Sequence, residues 1–510
     1  MNKKAIATRS SSKKGRQTPR SKVKAASDEL KEVSAFPSKA FFVEMLTRDI
    51  ELEAAILDLL DNSLDGVLRK LKENTKHDAQ GNGKKHSDAD NEKKYKGFWA
   101  HIEFNKNFFR ISDNCGGISR DILKSAFRLG SPNLEQDKDL PTVGLYGIGM
   151  KRAIFKMGKS CTVTTRHGKE AYRIEISPEW MENDELWKLD VEKLDATGLT
   201  EGTIIEVRHL RDAVSRVFDT ETNVAFVNDF QNEVSETFSY IIHKGLTVTV
   251  DKTSIKAKSL HLRLMEDPST KSKIAPFLYE GKVNDVDVKL VVGLYRSIPT
   301  EQEAEEINKG EEKNKKENAG WTIICNDRVV LYNDTTHVTG WGEATVPRYH
   351  SQFIAIAGIV RFDSVHPEKL PLTTTKRGIN LNSETYATVK NLMREGLKHF
   401  TNFTYKWKSD SQERREIYKQ TKSVEAFDVF NHIDEGQWTK AKKEGGRKFV
   451  PKLPAPSQDS TDKVIRFSRP QAEIETVSTY LFEEPDAAPP KVGEECFDRF
   501  LAKAEAEFDE

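Results

Sequence analysis

Three polar, glycine-bearing motifs interrupt the apolar runs of this chain in a fixed order between Asp58 and Lys151: DLLDNSLDG, ISDNCGGIS and GLYGIGMK. Each falls on a different expected element: the body of a helix, the end of a strand, and a loop that opens a second helix. A fold that satisfies all three must bring those elements around one another. Asp58, Asn62 and Asp65 are spaced by four and three residues, which puts them on one face of a helix expected from about Glu51 to Leu71. Ile56, Leu57, Leu59 and Leu60 supply the buried side of that helix. Asp113 follows the strand-like run FFRIS, and Gly116 and Gly117 follow it in a turn. Gly144, Gly147 and Gly149 lead directly into an apolar helix.

These residue types suit a nucleotide. An Asn carbonyl is a hard oxygen ligand for Mg²⁺, and a carboxylate one turn earlier can polarise an attacking water as general base. Asp113 offers an acceptor for an adenine amino group, and glycine beside it lets the base approach the backbone. Successive N–H groups in a glycine loop, backed by a positive helix end, bind phosphate oxygens. Lys151, in the first turn, would add positive charge. Each motif alone has a plainer reading: a solvent-facing polar stripe, an ordinary Asp-Asn turn, an exposed helix lysine. A dinucleotide-binding unit also competes for the glycine loop, but that loop follows a polar segment rather than a buried parallel strand.

At 510 residues the chain is long enough for two or three domains, at roughly 100 to 200 residues each. No run approaches the ~20 apolar residues of a membrane helix, and no apolar leader core opens the chain, so a cytosolic protein is expected, with nucleoid or nuclear association left open. The four cysteines form no CxxC pair and are expected to be buried thiols. Lys and Arg together balance Asp and Glu at 80 each, yet residues 1 to 26 hold nine Lys or Arg and no acid. Residues 1–35 are accordingly expected to be a disordered basic arm, either a nucleic-acid tether or a solubilising tail. Residues 72–97 are polar enough to read as a flexible insertion, and 130–146 as a lid. A second α+β region is expected from 246 to 407, beginning with LTVTV and interrupted at 299–319 by a charged stretch expected to be an exposed helical arm or loop. A helical, linker-containing region is expected from 408 to 510.

Taken in order, the three motifs resemble the N-box and the two glycine boxes of the GHKL ATPases, the superfamily of gyrase B, the ninety-kilodalton heat-shock chaperones, histidine kinases, MutL and MORC proteins. EGTIIEVRHL, with Gly202 and Thr203, resembles a further box that supports the nucleotide, and the likeness spans Phe36 to Leu210. It implies a Bergerat-type α/β sandwich over 36–245, followed by a ribosomal-protein-like transducer with a left-handed crossover. It assigns Asp58 the role of general base, Asn62 that of Mg²⁺ ligand, Asp65 a supporting role, and Asp113 the adenine contact. Gly117 then lines the base, while Gly144, Leu145, Tyr146, Gly147, Ile148, Gly149, Met150 and Lys151 hold the phosphates of ATP. The family base is usually Glu, so Asp58 implies slow hydrolysis, and Cys115 stands where the second box usually begins with glycine. GWTIICNDRVVLYND resembles the strand-turn-strand segment of the transducer. LPLTTTKRGI resembles the MORC loop whose lysine reaches the γ-phosphate, which makes Lys376 the candidate sensor and Lys369 its rival.

The likeness is nearest the MORC and MutL branch. It implies heads that dimerise on ATP into a clamp, with DNA as client in genome maintenance or defence against foreign DNA. A chaperone-like clamp on a protein client and a nucleotide-gated scaffold without turnover are the alternatives.

Overall fold

The computed structural model describes residues 38–78, 93–128, 140–142, 147–265, 272–309, 318–373, 375–408, 412–441, 445–456, 465 and 467–508. The basic arm, most of the lid, and Gly144, Leu145 and Tyr146 lie outside these residues. The chain divides into two compact units. The first comprises Met1–Lys258 with two later segments, Asn326–Arg328 and Ser364–Glu368; the second holds the rest.

In the first unit, the alternating runs WAHIEFN and FFRISD form a hairpin of β1 (Trp99–Asn105) and β2 (Phe108–Asp113). Its inward residues Ala100, Ile102, Phe104, Phe109 and Ile111 are buried, as a period of two requires. β3 (Gly158–His167), β4 (Glu170–Ile176), β5 (Val191–Leu194), β6 (Gly202–Leu210), β7 (Thr247–Val250) and β8 (Thr253–Ser254) complete an eight-stranded sheet of order β5-β4-β3-β6-β2-β1-β7-β8. Its pairings are antiparallel except β1 with β7. The TVTV strand therefore closes the first sheet, where the sequence had suggested the start of the second region. A parallel partner needs a long crossover, and the helices before Thr247 return the chain to the free edge of β1.

The helices of this unit are α1 (Lys39–Thr47), α2 (Leu52–Asp78), α3 (Arg120–Ala126), α4 (Gly149–Met157), α5 (Pro178–Glu182), α6 (Asp212–Val217), α7 (Val224–Thr237) and α8 (Ser239–His243). Every residue from Ala55 to Asp61 in α2 is buried, so this helix is enclosed on nearly all sides. Each fully buried Leu or Ile contributes about 1.5–3 kcal/mol. Ile56, Leu60, Leu64 and Val67 together fix the helix in the core, and with it the polar side chains it carries. α2 also continues through Lys72–Asp78, the start of the expected flexible insertion. α4 packs on α2 through a face that buries Ala153, Ile154, Phe155 and Met157.

The second unit contains β9 (His261–Met265), β10 (Phe277–Val283), β11 (Val286–Leu294), β12 (Gly320–Cys325), β13 (Arg328–Asp334, its first residue belonging to the first unit), β14 (Ile356–Asp363), β15 (Thr421–Glu425), β16 (Thr439–Lys440) and β17 (Arg447–Phe449). A seven-stranded sheet runs β13-β12-β14-β11-β10-β17-β16, and β15 pairs with β9. Asn284 and Asp285, at φ +50° and +65°, make the tight turn between β10 and β11 that matches strand twist. The helices here are α9 (Glu301–Asn308), α10 (Glu384–Lys406), α11 (Gln412–Lys419), α12 (Gln471–Phe482) and α13 (Pro489–Phe508). α10 buries Tyr386, Val389, Met393, Leu397 and Phe400 against the sheet.

The charged stretch at 299–319, expected to be an exposed helical arm or loop, does begin with a helix, α9, but that helix buries Ala304 and Ile307. Two further expectations change in this unit or beside it. The region after 408 is not only helix and linker: β15 pairs with β9, and β17 pairs with β10 at the sheet's edge. Cys115, Cys161 and Cys325 are buried thiols, but Cys496 is exposed. Among the described residues no helix is long and apolar enough to cross a membrane.

Candidate functional site

Asp113 ends β2, and three donors fix its carboxylate. Ser63 Oγ on α2 donates to Oδ2 at 2.7 Å, the Cys115 N–H to Oδ1 at 2.9 Å, and the Thr203 N–H to Oδ1 at 3.3 Å. Burial nevertheless raises the Asp113 pKa, outweighing the bonds from Cys115, Ser63 and Thr203. The backbone around it is packed so closely that only glycine fits. A Cβ on Gly202 would lie 1.9 Å from the Asp113 carbonyl oxygen, and one on Gly117 would lie 2.0 Å from that of Arg166. Thr165, buried on β3, accepts from the Ile118 N–H at 2.7 Å and sits 3.2 Å from Thr203 Oγ1. The N-box helix, the Asp-Gly turn and the Gly-Thr strand thus meet at one carboxylate. Cys115 is compatible with that turn: its thiol is buried against the Trp99 carbonyl, and burial and the Asp113 charge hold its pKa well up.

On α2, Asp58 and Asp65 are buried while Asn62 is exposed. Gly149 opens α4 directly beside Asp58, for a Cβ there would stand 3.4 Å from the Asp58 carboxylate. Gly147 has φ +61°, and Ile148 at the N-cap makes no side-chain hydrogen bond to this helix end. Met150 is partly buried against the core. Arg152, one turn in, donates from Nη2 to Asp58 Oδ2 at 2.5 Å, and its Nε is buried with no partner among the described residues. The carboxylate expected to face water is therefore held in an ion pair.

Lys151 points elsewhere. It is buried, and its Nζ donates to the carbonyls of Ala126, the last residue of α3, at 2.7 Å and of Arg128 at 2.9 Å. Burial lowers its pKa to about 8. To reach a phosphate it would have to leave two carbonyls, so here it joins the helix end before the lid to the helix after it.

The same compact unit includes the turn Asn326–Arg328. Arg328 Nε donates to Asp61 Oδ1 at 2.8 Å, with both side chains almost fully buried. Asp327 accepts from Tyr95 Oη at 2.6 Å and Lys244 Nζ at 3.0 Å, and Asn326 Nδ2 donates to the Thr142 carbonyl at 3.0 Å. Asp61 adjoins Asn62, and Thr142 lies within the segment expected to be the lid. Lys376 and Lys369 belong to the second unit. Lys376 has φ +57° in a loop clasped by a bridge between Leu372 and Ile379, and Lys369 pairs with Asp285 at 2.7 Å.

Residues 50–204 match the family model for histidine kinase-, DNA gyrase B-, and HSP90-like ATPases. The match supports a GHKL-type ATPase domain. The mixed α/β architecture of this unit fits such a domain, and with it ATP binding. No curated protein matches the chain. Within the matched residues 50–204, sequence reasoning passed over Ser63, Asp61, Thr165 and Arg152. Ser63 carried a signal, since it lies within the N-box beside Asn62; the other three depend on long-range pairing that no local pattern reveals.

Proposed function

We propose that this protein is an ATP-hydrolysing GHKL protein of the MORC- and MutL-like kind, whose heads dimerise on ATP into a clamp acting on DNA. One observation carries the nucleotide reading: a carboxylate fixed by three donors from three elements, beside glycines whose replacement would collide with backbone. In this reading Asp113 accepts from the adenine amino group and Gly117 leaves room for the base. Thr203 and Thr165 hold the strand behind them. The open end of α4 and the loop Gly144–Gly149 take the phosphates. Asn62 would hold Mg²⁺, whose positive charge offsets that of the phosphates. A single Asn carbonyl suits an ion that keeps several waters and takes few protein ligands.

Asp58 then polarises the attacking water, and Arg152 must first release its carboxylate. Asp65 supports the helix from its buried position, and Lys376 reads the γ-phosphate, with Lys369 as its rival. The basic arm adds phosphate contacts on DNA. Size measurement with and without a non-hydrolysable ATP analogue and Mg²⁺ tests the clamp; a monomer under both conditions would refute it. Salt-sensitive DNA affinity that rises with the analogue tests the client, and a protein client remains if no DNA binds. The Arg152–Asp58 pair also favours a second reading, a nucleotide-gated scaffold with negligible turnover. In that case Asp58→Asn leaves function intact and Asn62→Ala abolishes it.

A further inference from the structure

We propose that the second unit carries a separate site for a small phosphate-class anion, in a cleft of about 310 Å³ lined by Arg263, Ser297, Arg414, Arg415, Tyr418 and Lys419. Arg263 comes from β9, Ser297 follows β11, and the other four lie on α11. Four of the six are cationic and two carry hydroxyls; among the described residues the lining holds no carboxylate.

The cations differ in how they are held. Arg414 is buried and donates from Nη1 to the Trp407 carbonyl at 3.1 Å, which fixes a guanidinium in place. Arg263 Nε is buried and has no partner among the described residues, an arrangement that native proteins rarely leave unanswered. Tyr418 uses its hydroxyl oxygen to accept from the Ile298 N–H at 3.3 Å, which leaves its proton to donate. Burial raises the Tyr418 pKa and so keeps that proton in place. Lys419 is mostly in solvent and pairs with Glu416 at 2.7 Å, an exposed contact of the kind that contributes little.

Guanidinium forks match the oxygens of a phosphoryl group, and a fixed arginine needs no reordering to bind one. Nucleic-acid backbone tracks along extended basic surfaces. A cleft with its most buried cation on α11 suits instead a discrete group, such as a small phosphate ester or pyrophosphate. None of its residues belongs to the GHKL-type domain, so the assignment does not depend on the ATP reading.

The test is calorimetric titration of inorganic pyrophosphate into the full chain and into Arg263→Gln, Lys419→Gln and Asn62→Ala variants, each checked by thermal unfolding. Losing one charge-assisted contact should weaken the cleft by about tenfold in the first two variants and leave it unchanged in the third. Because Lys419 is largely in solvent, its variant reports on binding even if Arg263→Gln fails to fold. Pyrophosphate affinity equal to wild type in Lys419→Gln would overturn the assignment, as would affinity lost only in Asn62→Ala. A competition arm with a short DNA duplex separates the two phosphate sources. Duplex binding that depends on Lys419 and is not displaced by pyrophosphate would also overturn it.

Discussion

Replacing Ser63 by alanine removes one of the three donors that hold the Asp113 carboxylate and changes little else. The hydroxyl lies 2.7 Å from Oδ2, and Ser63 is only 4% exposed, so water does not readily take its place. A hydrogen bond to an ionised group in such a setting contributes about 1.5–3 kcal/mol, and the variant should lose that much unfolding free energy. The Asp113 pKa is already raised by burial, and removing a donor to the ionised form raises it further. An adenine amino group needs the ionised, oriented acceptor. ATP affinity should therefore fall by about tenfold at neutral pH, and the gap from wild type should widen as the medium is acidified. The sign excludes a trivial cause: a carboxyl whose folded pKa is raised adds stability as pH falls through it, so this group does not unfold the protein there. The assay is ATP titration from pH 5 to 8 with denaturant melts on the same samples. If stability falls as stated while ATP affinity stays within about twofold at every pH, Ser63 is purely structural and Asp113 does not read the base.

Asp58→Asn should reduce ATP turnover by about 100-fold or more while leaving ATP affinity intact, measured by phosphate release beside calorimetry; unchanged turnover would remove Asp58 from the chemistry. Arg328→Met removes a guanidinium from the buried Asp61 carboxylate and should cost about 3–5 kcal/mol in a denaturant melt, with partial recovery in the Asp61→Leu, Arg328→Met double variant. For Lys151, burial lowers the pKa from 10.5 to about 8, so the penalty on its charge is full below that pH and disappears as pH rises toward 10.5. The stability of wild type minus that of Lys151→Met should therefore increase by roughly 3 kcal/mol across that window, whereas a flat difference would mean the amine is not desolvated.

The parts of this molecule that were legible in its sequence are those set by short-range pattern. Alternation in WAHIEFN and FFRISD marked the β1–β2 hairpin, and helical spacing placed Asp58, Asn62 and Asp65 on one helix. What escaped was determined by pairing across many residues. TVTV reads as a strand wherever it lies, and only the free edge of β1 decides that it joins the first sheet. Lys151 looks like a phosphate ligand from its place after the glycine loop, yet its amine is taken by two carbonyls at the C-terminal end of α3. Nothing local to Arg152 announces that it holds Asp58, or to Asp61 that an arginine 267 residues later neutralises it. Gly117 and Gly202 were legible as turn residues, but their need to be glycine comes from carbonyls of other strands.

The claim on which the rest depends is that Asp113 anchors ATP in this domain. Calorimetric titration of ATP with Mg²⁺ into wild type and Asp113→Asn, both shown to be folded, tests it most directly. The substitution exchanges an acceptor oxygen for a donor amide at nearly constant shape. Saturable one-site binding by wild type and its loss in Asp113→Asn is the expected result. Equal ATP affinity in the two proteins would contradict the account.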